Sequence, residues 1–295
     1  MKSLKYYVVD VFTSERYRGN QLAVVLTDSD LELPAYEKIA SEFGYSETSF
    51  IYYSEKDKAL KVRSFTPTGF EVNGAGHNLL GAVCLALLIN LDIFQAQENE
   101  RFVIMKDEVI KLSVHHPKNQ LPFVGMRQDP ATLLTNVDPQ ILAQALNLKE
   151  EDILTGDLVP VVVKTEVTHL MVPLVSTEAL NNANPDKSLL ISTAEKYGFE
   201  GVYCFAITSQ HPDYFAQTRF FNPGIGIEED PATGSAAGPL AGLLFQKNRI
   251  KQDSVYQLLQ GEKMKRPSVI QFEVKSDSIR ISGSSVIVME GVLFL

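Results

Sequence analysis

Several residue types and patterns are scarce in this chain of 295 residues. It contains no tryptophan and only two cysteines, Cys84 and Cys204, both inside apolar runs. Two isolated cysteines exclude a disulfide framework and a zinc spacing, and their apolar surroundings predict buried thiols. The longest apolar stretch, 79–89, is far shorter than the ~20 residues that a membrane helix needs. It predicts a buried helix instead.

Positive charge is also scarce, since 27 Lys and Arg face 36 Asp and Glu, for a net charge of −9. An acidic surface is not attracted to nucleic-acid phosphates or anionic lipids, so neither nucleic acid nor membrane is expected as a partner. The first ten residues lack the apolar core of a secretory signal, which predicts a cytoplasmic protein. The length is typical of two domains.

The motifs of the common cofactors are missing. Gly74 and Gly76 lack the third glycine of a dinucleotide fingerprint, and no phosphate-binding loop with its lysine and serine occurs. Gly234-Ser235 has the wrong spacing for a nucleophile elbow. His115-His116 stands apart from other ligand types at metal spacing. We therefore expect neither a cofactor nor a metal.

What the sequence does have is a doubled motif. Phe65-Thr66-Pro67 leads into Gly76-His77-Asn78 and an apolar run, and Phe221-Asn222-Pro223 leads into Gly234-Ser235-Ala236 and another. The phenylalanines differ by 156 positions and the glycines by 158, so a two-residue insertion reconciles the copies. A period near half the chain predicts duplicated domains.

The order of short β-branched runs and helical segments also repeats. Helices are predicted at 34–43, closed by Gly44, and at 78–91, 138–147, 186–197 and 234–246. The strand-like run 48–51 is matched by a weaker counterpart at 202–205, at nearly the same offset as the doubled motif. The proline- and glycine-containing stretch 115–130 is the predicted passage between halves. The predicted domains are 1–117, joined by the last strand at about 284–295, and 118–283.

Each copy places a glycine at the start of a buried helix, whose first N–H groups have no internal partner. Glycine lets a ligand approach, and the helix dipole favours an anion there. The alternative is two plain helix caps, with Asn78 and Ser235 as capping residues. Two matched motifs favour the first interpretation, a pair of helix ends that bind a small carboxylate.

Three titratable residues stand close to these motifs. Glu47 begins a strand that otherwise has a buried pattern, where desolvation would raise a carboxyl pKa toward values useful for acid/base work. Asp230 precedes the second motif, and His77 follows the first glycine. Structural alternatives remain for each: an exposed strand-end glutamate, a turn-forming Asp-Pro and a structural histidine.

The chain resembles the PhzF-like isomerases, which are related in fold to diaminopimelate epimerase. The resemblance rests on motifs that keep one order along nearly the whole chain: Val9-Asp10-Val11-Phe12-Thr13, Gly19-Asn20, Ser46-Glu47-Thr48, Phe65-Thr66-Pro67, Gly76-His77, Glu229-Asp230-Pro231-Ala232-Thr233-Gly234-Ser235, Gln260-Gly261-Glu262 and Arg266-Pro267-Ser268. It implies an α+β fold of two pseudo-symmetric domains, each a mixed sheet or open barrel around a central helix. It also implies a site between the domains, a homodimer and no cofactor.

The resemblance also implies roles for single residues. Glu47 resembles the catalytic acid/base, with His77 and Asp230 as its catalytic neighbours. The implied substrate-binding residues are Gly76, Asn78, Gly234, Ser235, Asn20 and Ser46.

The departures from the related epimerases carry information. Those enzymes have a cysteine before each helix-opening glycine, where this chain has Ala75 and Thr233. Neither side chain exchanges a proton at neutral pH, so inversion by two thiols is excluded. Asn73 and Gly74 also depart from the acidic and apolar residues of the related motif, which bears on substrate preference.

The sequence therefore predicts a cofactor-independent isomerase that moves a proton at carbon in a small carboxylate-bearing metabolite, with Glu47 as the acid/base. Two alternatives stay open at this point. One is a non-catalytic protein of the same fold that binds a metabolite or a partner, and the other is an epimerase that uses Glu47 and His77 as opposed bases. The substrate, the pathway and the oligomeric state are not fixed by the sequence.

Overall fold

The computed structural model describes residues 3–72, 74, 76–91, 95–97, 100–118, 120–208 and 213–295. The chain divides into two compact units. The first unit is Met1–Arg127 together with Ser282–Leu295, and the second is Gln128–Ile281. Of the helices in the described ranges, none has the length and apolar character needed to cross a bilayer.

Among the described residues, eight strands and two helices form the N-terminal part of the first unit. They are β1 (Ser3–Val11), β2 (Asn20–Leu26), α1 (Leu33–Phe43), β3 (Thr48–Ser54), β4 (Ala59–Phe65), α2 (His77–Leu88), β5 (Gln95–Gln97), β6 (Glu100–Met105), β7 (Glu108–His115) and β8 (Phe123–Gln128). The chain returns to this unit in β17 (Ile279–Phe294).

The second unit follows the same plan. Its elements are β9 (Thr132–Asn136), α3 (Pro139–Ala145), β10 (Val161–Lys164), β11 (Thr168–Pro173), α4 (Thr177–Asn182), α5 (Lys187–Tyr197), β12 (Gly201–Ile207), β13 (Ala216–Asn222), β14 (Ile227–Asp230), α6 (Gly234–Gln246), β15 (Val255–Gln260) and β16 (Ser268–Val274). Short 3₁₀ turns lie at Glu150–Asp152 and Pro223–Ile225.

The strands of the first unit close into a ring. The pairing runs β1, β2, β3, β4, β6, β7, β8 and β17, and β17 pairs again with β1. The β2–β3 and β4–β6 pairs are parallel, and β1–β2, β3–β4 and β6–β7 are antiparallel. The mixed sheet therefore forms a closed eight-stranded barrel, which confirms the predicted α+β class.

The second unit repeats this order of pairings. Its strands β10, β11, β12, β13, β15 and β16 pair successively as antiparallel, parallel, antiparallel, parallel and antiparallel. The register agrees as well, because Thr48 pairs with Phe65 in the first unit and Val202 with Phe221 in the second. Two units with one topology and one register support an internal duplication.

Each unit has a central helix, α2 or α6. All residues of α2 from His77 to Leu87 are buried, and α2 packs against β1 to β4. Helix α6 packs against β9, β10, β11 and β16 and is buried over most of its length. Helices that are apolar on all sides belong in a core. Pro239 lies inside α6, which continues through it to Gln246.

The helix boundaries follow local capping chemistry. Helix α1 ends at Gly44, whose left-handed φ of 66° is accessible to glycine at little cost. The Asp138 carboxylate accepts a hydrogen bond from the Gln140 N–H at the start of α3, and Asp186 does the same for Leu189 at α5. The predicted starts of these helices agree with the structure, and α2 ends at Leu88, a little before the predicted 91.

The first unit extends beyond the predicted boundary at 117. Strand β8 lies within the predicted passage 115–130, and it pairs with both β7 and β17. Closing the ring therefore keeps the chain in the first unit as far as Arg127.

The two cysteines are buried as predicted, and burial raises the pKa of each thiol to about 12, so both are inert at neutral pH.

Candidate active site

The candidate site of the first unit lies at one end of its barrel. Thr48 at the start of β3 pairs with Ala23 of β2 and with Phe65 at the end of β4. The residues just before Thr48 therefore project at the end of the sheet where β4 ends. From there the chain continues to Gly76 and α2. Strand connectivity thus brings two motifs together that stand far apart in the sequence.

Three predicted residues meet at this end. Glu47 Oε2 lies 3.8 Å from His77 Nδ1, and Ser46 Oγ lies 3.5 Å from His77 Nε2. The side chains of His77 and Glu47 are 8% and 17% exposed. Both ring nitrogens of His77 thus face a polar neighbour in a largely dehydrated place, where electrostatic interactions are stronger than in water.

Burial controls the charge of His77. Desolvation lowers the pKa of the imidazole from 6.5 to about 4, so the ring is neutral at pH 7. The contact with Glu47 is therefore one between a carboxyl group and a neutral imidazole. A neutral imidazole donates from one nitrogen and accepts at the other, which suits proton transfer.

The start of α2 is organised by Asn78. The Asn78 Oδ1 atom accepts hydrogen bonds from the N–H groups of Gly76 and Leu79, each at 2.8 Å, and Nδ2 donates to the Gly74 carbonyl at 3.2 Å. This side chain supports its own loop. In the first turn, the N–H groups of His77 and Asn78 are the ones for which the described part of the chain provides no acceptor.

Asn20, another predicted binding residue, is buried at the start of β2. Because β2 and β3 are parallel, their starts lie at the same end of the barrel. Asn20 therefore belongs to the end of the barrel that carries Glu47. Asn73 and Ala75, which depart from the related motif, lie outside the described residues.

The predicted residues of the second unit surround the start of α6. Asp230 and Thr233 are buried, and the Thr233 hydroxyl donates to Asp230 Oδ2 at 2.5 Å. The N–H groups of Ala236 and Ala237 bond to the Thr233 carbonyl. Among described residues, none accepts from the N–H groups of Gly234 and Ser235, which remain available to a ligand.

The second unit has no equivalent of Glu47. Val202 occupies the register of Thr48, so the residue before it, Gly201, occupies the position of Glu47. A Cβ atom at Gly201 would lie 2.3 Å from Cζ of Phe220. Phe220 in turn has the register of Ser64 in the first unit. The glutamate position is thus closed in the second unit by an aromatic ring.

Both units also contain an arginine–glutamate pair that the sequence analysis missed. Arg63 binds Glu71 through two hydrogen bonds of 2.7 and 2.9 Å, and Arg219 binds Glu229 through two of 2.8 and 2.9 Å. Each guanidinium lies over a phenylalanine of the doubled motif, Phe65 or Phe221. The pairs have the offsets of 156 and 158 already seen in that motif, and this signal could have identified them.

Arg63 thus connects β4 to the segment that precedes α2, and Arg219 connects β13 to the segment that precedes α6. A bidentate pair fixes direction as well as distance. Gln260 belongs to the Gln260-Gly261-Glu262 motif, for which the sequence predicts no role. Within the described ranges, no three His, Cys, Asp or Glu side chains come together in the manner of metal ligands.

Comparisons with known proteins agree on one family. The family model PhzC-PhzF, described as phenazine biosynthesis-like protein, matches residues 9–291. An uncharacterized isomerase of Clostridium acetobutylicum is 31% identical over 100% of this chain and 99% of its own length. The trans-2,3-dihydro-3-hydroxyanthranilate isomerase of Pseudomonas aeruginosa is 30% identical over 99% of each chain.

The fold has a close match among solved structures. A phenazine biosynthesis protein of the PhzF family from Bacillus anthracis superposes with a TM-score of 0.90, at 22% identity over 100% of both chains. At this identity the match supports the fold alone.

Proposed function

We propose that this isomerase, which belongs to the phenazine biosynthesis-like family, moves a proton between carbon atoms of a small carboxylate metabolite without a cofactor. Glu47 is the acid/base. The observation that carries the proposal is the asymmetry of the two units. One unit places a carboxyl group 3.8 Å from a buried neutral imidazole, and the other has glycine at the same register.

The proton balance of this reaction needs only one base. The Glu47 carboxylate takes a proton from a substrate carbon and becomes a carboxylic acid, while the electron pair moves into the substrate's π system. The same carboxylic acid then returns the proton to another carbon, which restores the carboxylate. No oxidant, reductant or external proton is consumed, and His77 exchanges a proton with a substrate heteroatom during the shift.

The substrate class follows from the helix ends. Free N–H groups at the start of a helix favour an anion of carboxylate size, and the dipole adds ~+0.5 charge there. Glycines at these ends allow close approach. The name of the Pseudomonas aeruginosa relative describes an anthranilate derivative, which carries a carboxylate. A carboxylate next to a conjugated C–H is therefore the substrate that we propose.

The roles of the second unit stay predictions. Asp230 is predicted to exchange a proton with the same substrate, and Gly234 and Ser235 to bind its carboxylate. Substituting Asp230 with Asn and Ser235 with Ala tests both roles in the assay below. A homodimer and a cytoplasmic location also stay predictions, which light scattering and cell fractionation test.

The epimerase alternative is disfavoured by the same geometry. Two opposed bases must stand on either side of a substrate carbon, with space for that carbon between them. Glu47 and His77 are 3.8 Å apart and leave no such space. The remaining alternative is a protein that binds a carboxylate and does no chemistry.

The test is incubation in deuterated water with a panel of small unsaturated carboxylates, including trans-2,3-dihydro-3-hydroxyanthranilate. We expect carbon-bound deuterium in one substrate, and a loss of about 10²- to 10⁴-fold in rate with Glu47→Gln. The matched control is Glu42→Gln, which changes an exposed glutamate of α1. Tight carboxylate binding that Glu47→Gln leaves unchanged, without any exchange in the native chain, would establish the binding protein instead.

A further inference from the structure

One buried hydrogen-bond network in the second unit has no role in the function described so far. Its members lie on β12, β13 and β15 and on the turn before α6, and all are buried. The Thr218 hydroxyl donates to the Tyr203 oxygen at 3.0 Å, and the Tyr203 hydroxyl donates to Gln260 Oε1 at 2.9 Å. Burial raises the pKa of Tyr203, so this hydroxyl keeps its proton.

Gln260 passes the network on to the turn. Its Nε2 atom donates to the Asp230 carbonyl at 2.8 Å and to Thr233 Oγ1 at 3.0 Å, while Oε1 also accepts the Thr233 N–H at 3.2 Å. An amide has two donors and two acceptor sites, so all four are used. Gln260 is 0% exposed, and a satisfied buried amide of this kind has one preferred orientation.

The direction of each bond matters for Asp230. Because Thr233 Oγ1 accepts from Gln260, its own proton points to Asp230 Oδ2. The neighbouring Gly261 reinforces this turn, since a Cβ atom there would lie 2.6 Å from the Pro231 carbonyl oxygen. Among the described residues of the first unit no such network forms, because Val62 and Met105 occupy the registers of Thr218 and Gln260.

We propose that Gln260 is the positioning residue of Asp230: acting through Thr233, it fixes the orientation of the Asp230 carboxylate. This inference rests on the proposed function for its effect on rate, because Asp230 is predicted to exchange a proton with the substrate. Its structural part, the anchoring of the Thr233 turn, can be measured without turnover.

The test uses Gln260→Met, which installs the residue found at this register in the first unit. Gln257→Met is the control, because Gln257 lies on the same strand and is partly exposed, and it bonds to Phe215 through its backbone carbonyl and not through its side chain. We expect hydrogen exchange of the Thr233 N–H to become about tenfold faster with Gln260→Met and to remain native with Gln257→Met.

In the deuterium assay we expect Gln260→Met to lower kcat about tenfold with KM nearly unchanged. Thr233→Val should lower kcat similarly, Thr233→Ser should retain the native rate, and Gln260→Met should add nothing to Thr233→Val. If Gln260→Met does not fold, the two Thr233 variants decide the question.

Native protection of the Thr233 N–H in Gln260→Met, or fully multiplicative effects of Gln260→Met and Thr233→Val on kcat, would overturn the proposal. If the native chain exchanges no deuterium into any substrate, the proposed function fails. In that case the Thr233 N–H measurement still decides whether Gln260 anchors the turn.

Discussion

The two units of this protein share a topology and differ in their polar residues. Both have the same succession of strand pairings, a buried central helix and a bidentate arginine–glutamate pair. Where the first unit has Ser46, Glu47 and Ser64, the second has Glu200, Gly201 and Phe220. The shared features maintain the strand pairing and the buried central helix, while the differing ones place a carboxyl group beside an imidazole in the first unit and a glycine against an aromatic ring in the second.

The difference also extends to what supports each site. In the first unit the side chain of Asn78 organises the start of the central helix, and in the second Ala236 stands at the corresponding position. The second unit instead has the polar network centred on Gln260. The turn before the central helix is thus stabilised in the first unit by Asn78, which is close to it in sequence. In the second unit it is stabilised by Gln260, which lies on the separate strand β15.

The comparison can be tested first at the arginines, where the largest effect on stability is expected. Arg219 is 5% exposed and also donates to the carbonyls of Leu180 and Ala183. Arg219→Met leaves these acceptors and Glu229 without their donor, and we expect a loss of about 3–5 kcal/mol in the free energy of unfolding. Arg63→Met should cost only about 1 kcal/mol, because water reaches Arg63 and its carboxylate partners.

Urea denaturation followed by circular dichroism measures both losses, since the chain has no tryptophan to report. Equal losses for the two variants would contradict the view that the second pair is the more deeply buried anchor.

The next test is the response of the buried histidines to acid. Burial lowers the pKa of His169 from 6.5 to about 4, as it does for His77. As the pH falls below 6.5, His169 becomes protonated in the unfolded chain but stays neutral in the folded protein. The free energy of unfolding therefore decreases until about pH 4. The slope is about 1.4 kcal/mol per pH unit, or about 3 kcal/mol in total.

His169→Asn keeps an acceptor for the Gly201 N–H and should remove this share of the acid sensitivity of the second unit. His116→Gln, at an exposed histidine, is the control and should leave the slope unchanged. Denaturation at pH 7 and pH 4.5 provides the comparison. An unaltered slope in His169→Asn would show that this imidazole is not the group that responds.

A third test addresses the closed glutamate position. Gly201→Ala places a Cβ against the Phe220 ring, and overpacking of this kind should cost about 1–3 kcal/mol. Phe220→Leu in the same chain should recover most of that loss. Gly156→Ala is the control, because no described atom other than those of its chain neighbours lies within 4 Å of its Cβ position. If Gly201→Ala is as stable as Gly156→Ala, the steric account of the asymmetry is wrong.

The smallest expected effect is at the start of α2. Asn78→Ala makes this helix resemble α6 and removes the acceptor for two backbone N–H groups, at a cost of about 1 kcal/mol. Hydrogen exchange at Gly76 and Leu79 should accelerate, while the interior of α2 stays protected. The equivalent change is already present in the second unit as Ala236, so loss of the whole helix would be unexpected.

Much of the fold was accessible from the sequence because its signals are local and periodic. Gly44, Asp138 and Asp186 mark helix ends by capping chemistry, and the offset of the doubled motif predicts two units of one topology. The closure of the barrel through β8 was not accessible, because Phe123–Gln128 has no strong strand pattern and depends on pairing with the distant β17.

The site was accessible in part. Glu47 and His77 were selected by their position near strand and helix starts, and the structure places them in contact. The Gln260 network and the closure of Gly201 by Phe220 depend on registers between strands that are far apart in sequence. No local pattern encodes such registers, so these features needed three-dimensional information.

The return of the chain to its first unit also has a consequence for biosynthesis. Ser3 pairs with Phe294, so strands from the two extremes of the chain lie side by side in one barrel. The second unit is continuous from Gln128 to Ile281 and can assemble as soon as it leaves the ribosome. The barrel that carries Glu47 also needs strand β17, which is translated after the second unit, so we expect this barrel to close after the second unit has assembled.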